Sequence, residues 1–203
     1  MTSAADPGYR APDLYENLDA VLSTAWQMLV DGATNRRTVA HTPTVVTIRA
    51  DGQPRARTVV LRGCDRDAAQ LRFHTDRRSP KIAELRADPR AMLHIYDPGA
   101  KVQLQLDCRA ELHIDDDVSN AAWDAAQAMS RICYQVSTAP GTEIETPALA
   151  QFDPDTMNGG ADNFMVVTLN IEAIEWLFLD ARGHRRVRFT RSGETWDGAW
   201  LVP

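Results

Sequence analysis

The stretch KVQLQLDCRAELHI, residues 101–114, alternates apolar and polar side chains without a break. Val102, Leu104, Leu106, Cys108, Ala110, Leu112 and Ile114 fall on one face; Gln103, Gln105, Asp107, Arg109, Glu111 and His113 fall on the other. A period of two calls for a half-buried strand and excludes a helix. The run also exceeds the usual strand of about five or six residues. A strand this long bends around a barrel or leaves one sheet for another.

The flanking sequence supplies partners for such a strand. TPTVVTIRA (42–50), RARTVVLRG (55–63), QLRFHT (70–75) and AMLHIYD (91–97) precede it, and FMVVTLN (164–170), AIEWLFLD (173–180) and RRVRFTR (185–191) follow. Asp51-Gly52 marks a hairpin between the first two, extended by Gln53-Pro54, and Asp180 to Gly183 makes another turn. Leu18, Val21, Leu22, Ala25 and Leu29 form a helical stripe, with Gly32 placed as its stop. A second helix is expected over 116–133, opened by the acidic turn Asp115-Asp116-Asp117. Residues 1–12 read as a loose arm, and 137–161, rich in Pro, Gly, Thr and Glu, as a long loop. Many strands, adjacent hairpins and few helices predict an α+β protein, mainly antiparallel β: a barrel with peripheral helices, in a single domain over 1–203.

Composition narrows the function classes. With 203 residues and a net charge of −6, the chain is a poor candidate for broad nucleic-acid binding. It has no apolar run of about 18 residues, so no membrane span is expected. The N-terminus lacks the apolar core of a secretory signal. Cys64, Cys108 and Cys133 form no CxxC pair and read as free thiols in a reducing cytosol, which makes a cytoplasmic location the expectation. The histidines show no metal-ligand spacing, so no metal is expected.

Two basic positions ask for an anion. Arg57 shares the face of Val59 and Leu61 in RARTVVLR, and a charge on an apolar face is costly when unpaired. In SPKIAEL, Ser79 stands as N-cap, Pro80 at the first helical position and Lys81 in the first turn. A cation there opposes the helix dipole, whereas a bound phosphate would relieve the cost. Solvent exposure of Lys81, and an ordinary carboxylate partner for Arg57, are the competing explanations. Lys81 and Lys101 are the only lysines in the chain.

The order R-x-V-V-L-x, F-H-T, S-x-K and Q-x-x-x-x-x-x-A-E resembles the pyridoxamine 5′-phosphate oxidase family of FMN-binding split barrels. The resemblance spans roughly 40–114, returns over about 170–203 and includes the ending W-x-x-x-W-L-V-P. It implies a homodimer with FMN at the interface and a small-molecule substrate. Arg57, Thr58, Val59, Val60 and Leu61 would lie along the flavin, with Arg57 near its phosphate. His74 stands where the family has tyrosine, while Thr75 and Lys81 match phosphate ligands. Pro80 replaces a family arginine, for which Arg77 or Arg78 would compensate. Gln103 matches a flavin contact from the partner subunit, Arg188 matches another contact, and Trp176 or Leu177 takes a tryptophan position. On the substrate side the resemblance points to Arg62, Arg131, Arg185 and Arg186. Here it thins: Arg185-Arg186-Val187 stands where the oxidase has Arg-Leu-His, with His184 just before. No catalytic residue is assigned. An oxidase-like enzyme, a flavin reductase acting on another substrate and a non-catalytic FMN store all remain open.

Overall fold

The computed structural model describes residues 13–151, 159–181 and 183–203. The expected arm 1–12, and 152–158 within the expected loop, lie outside the described residues. Nine strands form one antiparallel sheet: β1 (Thr44–Ile48), β2 (Pro54–Thr58), β3 (Leu61–Asp65), β4 (Gln70–Asp76), β5 (Arg90–Asp97), β6 (Val102–His113), β7 (Phe164–Phe178), β8 (Arg185–Ser192) and β9 (Thr195–Leu201). Their order is β2-β1-β5-β6-β7-β4-β3, with β8 added on β7 and β9 on β8. The sheet does not close, because β2 and β3 end the path. It is a mainly antiparallel, split arrangement with a few helices around it.

The alternating stretch is the 12-residue β6, and it bends as its length demands. Its register against β7 shifts between Asp107 and Cys108, where Glu172 is passed over. Before that bulge β6 lies between β5 and β7; beyond Ala110 it has left β5. The two segments read separately as 164–170 and 173–180 are the single strand β7. Its first half pairs with β4 and its second half with β8. One bent ribbon thereby carries the chain from one wall of the barrel to the other.

Two further expectations are corrected. The strand expected over 55–63 breaks at Val59–Val60, and Arg62 is bulged out where the β3–β4 register shifts between Leu61 and Gly63. The helix expected over 116–133 divides into α3 (Asp117–Ala125) and α4 (Ala128–Arg131). Asp116 caps α3 through a reciprocal bond with Ser119.

The first helix, α1 (Leu18–Thr34), buries Val21, Ala25, Trp26 and Leu29 against the sheet. Leu61, Phe73, Leu93, Leu104, Leu106, Trp176 and Phe189 complete that core. Each such side chain stabilises the fold by about 1.5–3 kcal/mol. Gly32 is not the stop, since α1 runs on to Thr34. Its role is close approach: a Cβ there would meet the Ala40 carbonyl oxygen at 2.6 Å. Gly32→Ala is therefore expected to destabilise by about 1–2 kcal/mol despite alanine's better helix propensity, because overpacking outweighs it. Urea unfolding measures the sign.

Candidate functional site

The helix α2 (Pro80–Ala87) follows β4 after a short turn. Ser79 takes the N-cap position with Pro80 just inside, as the local sequence demands. Its hydroxyl does not cap the backbone. Instead it accepts a bond from Lys81 Nζ at 2.7 Å, and Thr75 Oγ1 accepts another at 2.8 Å. Among the described residues no carboxylate forms an ion pair with Lys81. Burial, and next the Arg57 charge, push the ammonium down to about 8. The charges of Asp76 and Glu84 act the other way, so Lys81 is a half-buried cation between two hydroxyls with carboxylates nearby but none in contact.

Arg57 answers its charge differently. One of its terminal nitrogens donates to Thr47 Oγ1 at 2.5 Å and the other to Glu84 Oε2 at 2.8 Å. Thr47 in turn donates to Glu84, and Arg55 lies 3.5 Å from the other Glu84 oxygen. Burial works against ionised Glu84, but the bonds from Thr47 and Arg57 outweigh it and hold the carboxyl below its usual range. Glu84 thus supplies a negative partner for Arg57, which stays adjacent to Lys81. Pattern reading missed this carboxylate. No local signal marked it, since Glu84 lies about 100° around the helix from Leu85 and is buried by contacts with Thr47 and Arg57 instead.

Arg77 and Arg78, expected to compensate for the family arginine replaced by Pro80, both have partners within the chain. Arg78 grips Asp76 at 2.7 and 3.0 Å and donates to the carbonyls of Val136 and Ser137. Arg77 reaches the Asp162 carbonyl and Asp115. Both tie the chain around 136–137 and 162 to the rim instead.

Register separates the remaining predicted residues into two groups. Arg57 pairs with Val45, which pairs with Leu93, so its side chain shares their inner face. Gln103 pairs with Tyr96 and Leu177, and Leu177 pairs with Arg186, all on the outer face. Thr58, opposite Thr44, also faces outward and is exposed, while Val59 and Leu61 are buried. Leu177, not Trp176, stands on the Gln103 side; Trp176 is in the core against Tyr15 and Phe178. Arg188 donates to Asp107 at 2.5 Å and Arg186 to Glu175 at 3.0 Å, again on the outer face. Arg185 reaches Glu16. Arg131 donates to the carbonyls of Trp123 and Asp124 and lies over the Trp123 ring. Within one chain, then, Arg57 and Gln103 point to opposite sides of the same sheet.

Val60, Arg62 and His74 line a cleft of about 540 Å³ between the end of α1, the β3–β4 hairpin and the α3–α4 segment. His74 packs edge-on to Phe164, and its buried Nε2 has no hydrogen-bond partner. Burial, then the charges of Arg72 and Arg62, push its imidazole down to about 4. It is neutral at physiological pH.

A split antiparallel barrel thus carries, at its rim, a lysine held by two hydroxyls. A family model described as pyridoxamine 5′-phosphate oxidase matches residues 36–157. The chain belongs to that family. A pyridoxine/pyridoxamine 5′-phosphate oxidase of Bordetella petrii is 33% identical over 169 residues, covering 78% of this chain and 76% of that protein. Arabidopsis thaliana pyridoxine/pyridoxamine 5′-phosphate oxidase 2 is 29% identical over 168 residues, covering 76% and 83%. Two solved structures share the fold. A pyridoxamine 5′-phosphate oxidase-related, FMN binding protein of Nostoc punctiforme superposes with TM-score 0.73 at 23% identity, covering 89% of this chain and 96% of that one. PhzG of Burkholderia lata, solved with tetrahydrophenazine-1-carboxylic acid, gives 0.72 at 19% identity, covering 97% and 98%.

Two outcomes test the site's electrostatics. Glu84→Gln is expected to lower stability at neutral pH by about 1.5–3 kcal/mol, since Arg57 loses a charged acceptor. The deficit should shrink as acid protonates the wild-type carboxyl, because a depressed carboxylate stabilises only above its folded pKa. For His74 the folded pKa of about 4 lies below the ordinary 6.5, so stability falls as pH drops through that window. His74→Phe should flatten this acid limb in thermal unfolding measured across it.

Proposed function

We propose that this chain is an FMN-binding flavoprotein, oxidoreductase in kind, that works as a homodimer on a small-molecule substrate. The observation that carries the reading is Lys81, an ammonium held by Thr75 and Ser79 that forms no ion pair among the described residues. Those groups fit a phosphate: one cation and two hydroxyls at a helix start, with the Arg57 guanidinium alongside. Bound FMN supplies two-electron redox chemistry; the protein supplies position and electrostatics. Lys81, Thr75 and Arg57 hold the phosphate, and the Thr58–Leu61 backbone runs along the ring.

The opposed directions of Arg57 and Gln103 support the dimer. Gln103, Leu177 and Arg188 meet a flavin anchored at Lys81 only if a second copy presents its outer face. That face carries Tyr96, while Trp200 and Leu201 on β9 are also exposed. Neutral His74, where the family has tyrosine, leaves a ring nitrogen to meet the ligand without adding charge. Arg131, Arg185 and Arg186 are engaged within the chain, so the substrate side differs more from the oxidase pattern than the phosphate side does.

Purified protein is expected to take up FMN, turn yellow and release the flavin on denaturation. Colourless protein that ignores added FMN overturns the reading. Lys81→Ala should weaken FMN binding about 10–100-fold, as expected for loss of a charge-assisted contact. Between about pH 7 and 9, where phosphate is already dianionic, wild-type affinity should fall as Lys81 loses its proton; the variant should not show this limb. Fluorescence titration reads both. Oxygen uptake with pyridoxamine and pyridoxine phosphates then tests whether the B6 vitamers are substrates, and sedimentation tests the dimer.

A further inference from the structure

Arg57 stands on β2, an end of the sheet path. A long side chain on such an edge has solvent within reach, yet that of Arg57 is only 19% exposed. Two elements hold it. Thr47 of β1 accepts from one terminal nitrogen, and Glu84 of α2 accepts from the other. Both acceptors are buried, and Thr47 donates to the same Glu84 oxygen that Arg57 reaches. A hydroxyl donates only once, so with its proton committed to Glu84, Thr47 can only accept from Arg57. The carboxylate at position 84 therefore sets the direction of every bond in this ring.

Stability alone does not account for this arrangement. A buried ion pair commonly does no better than apolar side chains of the same volume, and burial works against the ionised Glu84. What the network secures is geometry: a guanidinium fixed at both terminal nitrogens, with Glu84 one turn along α2 from Lys81. The charged groups around that ammonium are Arg55 and Arg57 on β2, Asp76 at the end of β4 and Glu84 itself. Asp76 is gripped by Arg78, and the Glu84 oxygens are taken up by Thr47, Arg57 and Arg55. Glu84 thus acts through the cations and not on a ligand.

We propose that Glu84 is a positioning residue for the phosphate site, locking Arg57 against Thr47 where the guanidinium and the Lys81 ammonium serve the same anion. The assignment rests on the flavin reading, which gives that anion as the FMN phosphate. Reach and charge make separate contributions. The length of the Glu84 side chain holds Arg57, while its charge favours the Lys81 ammonium against the opposing charges of Arg57 and Arg55. Glu84→Asp keeps the charge and shortens the reach, whereas Glu84→Gln keeps the reach and removes the charge.

Lys81 and Lys101 are the only lysines, so NMR titration of the FMN-free chain with isotope-labelled lysine follows two side chains, with half-exposed Lys101 as the reference. Glu84→Gln should lower the Lys81 midpoint from about 8 by roughly half a unit or more, because an attractive charge is lost. Glu84→Asp should leave that midpoint near wild type. Affinity for FMN and for inorganic phosphate is then read by calorimetry at about pH 6.5, below the Lys81 titration. There Glu84→Asp should weaken FMN about tenfold, as a displaced guanidinium would. Glu84→Gln should weaken it less than about threefold, since the amide oxygen still accepts from Thr47 and Arg57. In an Arg57→Gln background Glu84→Asp should add no further loss, because the residue it acts through is gone. Unchanged FMN affinity in Glu84→Asp, an undiminished effect of Glu84→Asp in the Arg57→Gln background, or an unmoved Lys81 midpoint in Glu84→Gln overturns the positioning role while the flavin reading survives. A chain that takes up no FMN but binds inorganic phosphate in the same variant order defeats the flavin reading alone.

Discussion

The bent ladder between β6 and β7 is the constraint on which the remaining architecture rests. Every residue of β6 has a partner on β7 across the bulge at Asp107/Cys108. β4 and β8 pair with β7 in series, β4 with the residues before Glu172 and β8 with those after it. The bulge also divides the outer face. Gln103, Gln105 and Asp107 lie before it beside β5, while Glu111 and His113 lie beyond it toward α3. One extra residue in a strand thereby separates the surface that carries Gln103 from the side that holds the His74 cleft.

Electrostatics at the rim follow a simple division. Arg57 is already served, by Glu84 and Thr47, whereas Lys81 is served only by hydroxyls. Burial, and then the charge of Arg57, disfavour the Lys81 ammonium, against the pull of Asp76 and Glu84. The carboxylate partner of Arg57, Glu84, is fixed on α2, the same helix that carries Lys81.

Much of this was legible in one dimension. The period-two alternation predicted the long strand and its need to bend, and Ser79-Pro80 placed the start of α2 to the residue. Asp116 at the head of α3 followed from the acidic turn. Other features were not legible because they depend on what lies across space. Gly32 reads as a helix stop, but the Ala40 backbone pressed against it shows why it is glycine. Arg78 reads as a spare cation, but Asp76 and two loop carbonyls hold it. Arg36 and Arg72 carry no motif at all; only the fold brings them to the same cleft as Arg62.

The sequence by itself determined the antiparallel class, the bent strand and the two basic positions that call for negative charge, because side-chain period and helix-start chemistry are local properties. It also held the family pattern over 40–114. Only the tertiary structure decided which anion each cation meets. Glu84 reaches Arg57 across 27 positions, while Lys81 meets only the hydroxyls of Thr75 and Ser79. Charge pairing falls off with distance through space, and distance through space is set by the ladder rather than by position along the chain.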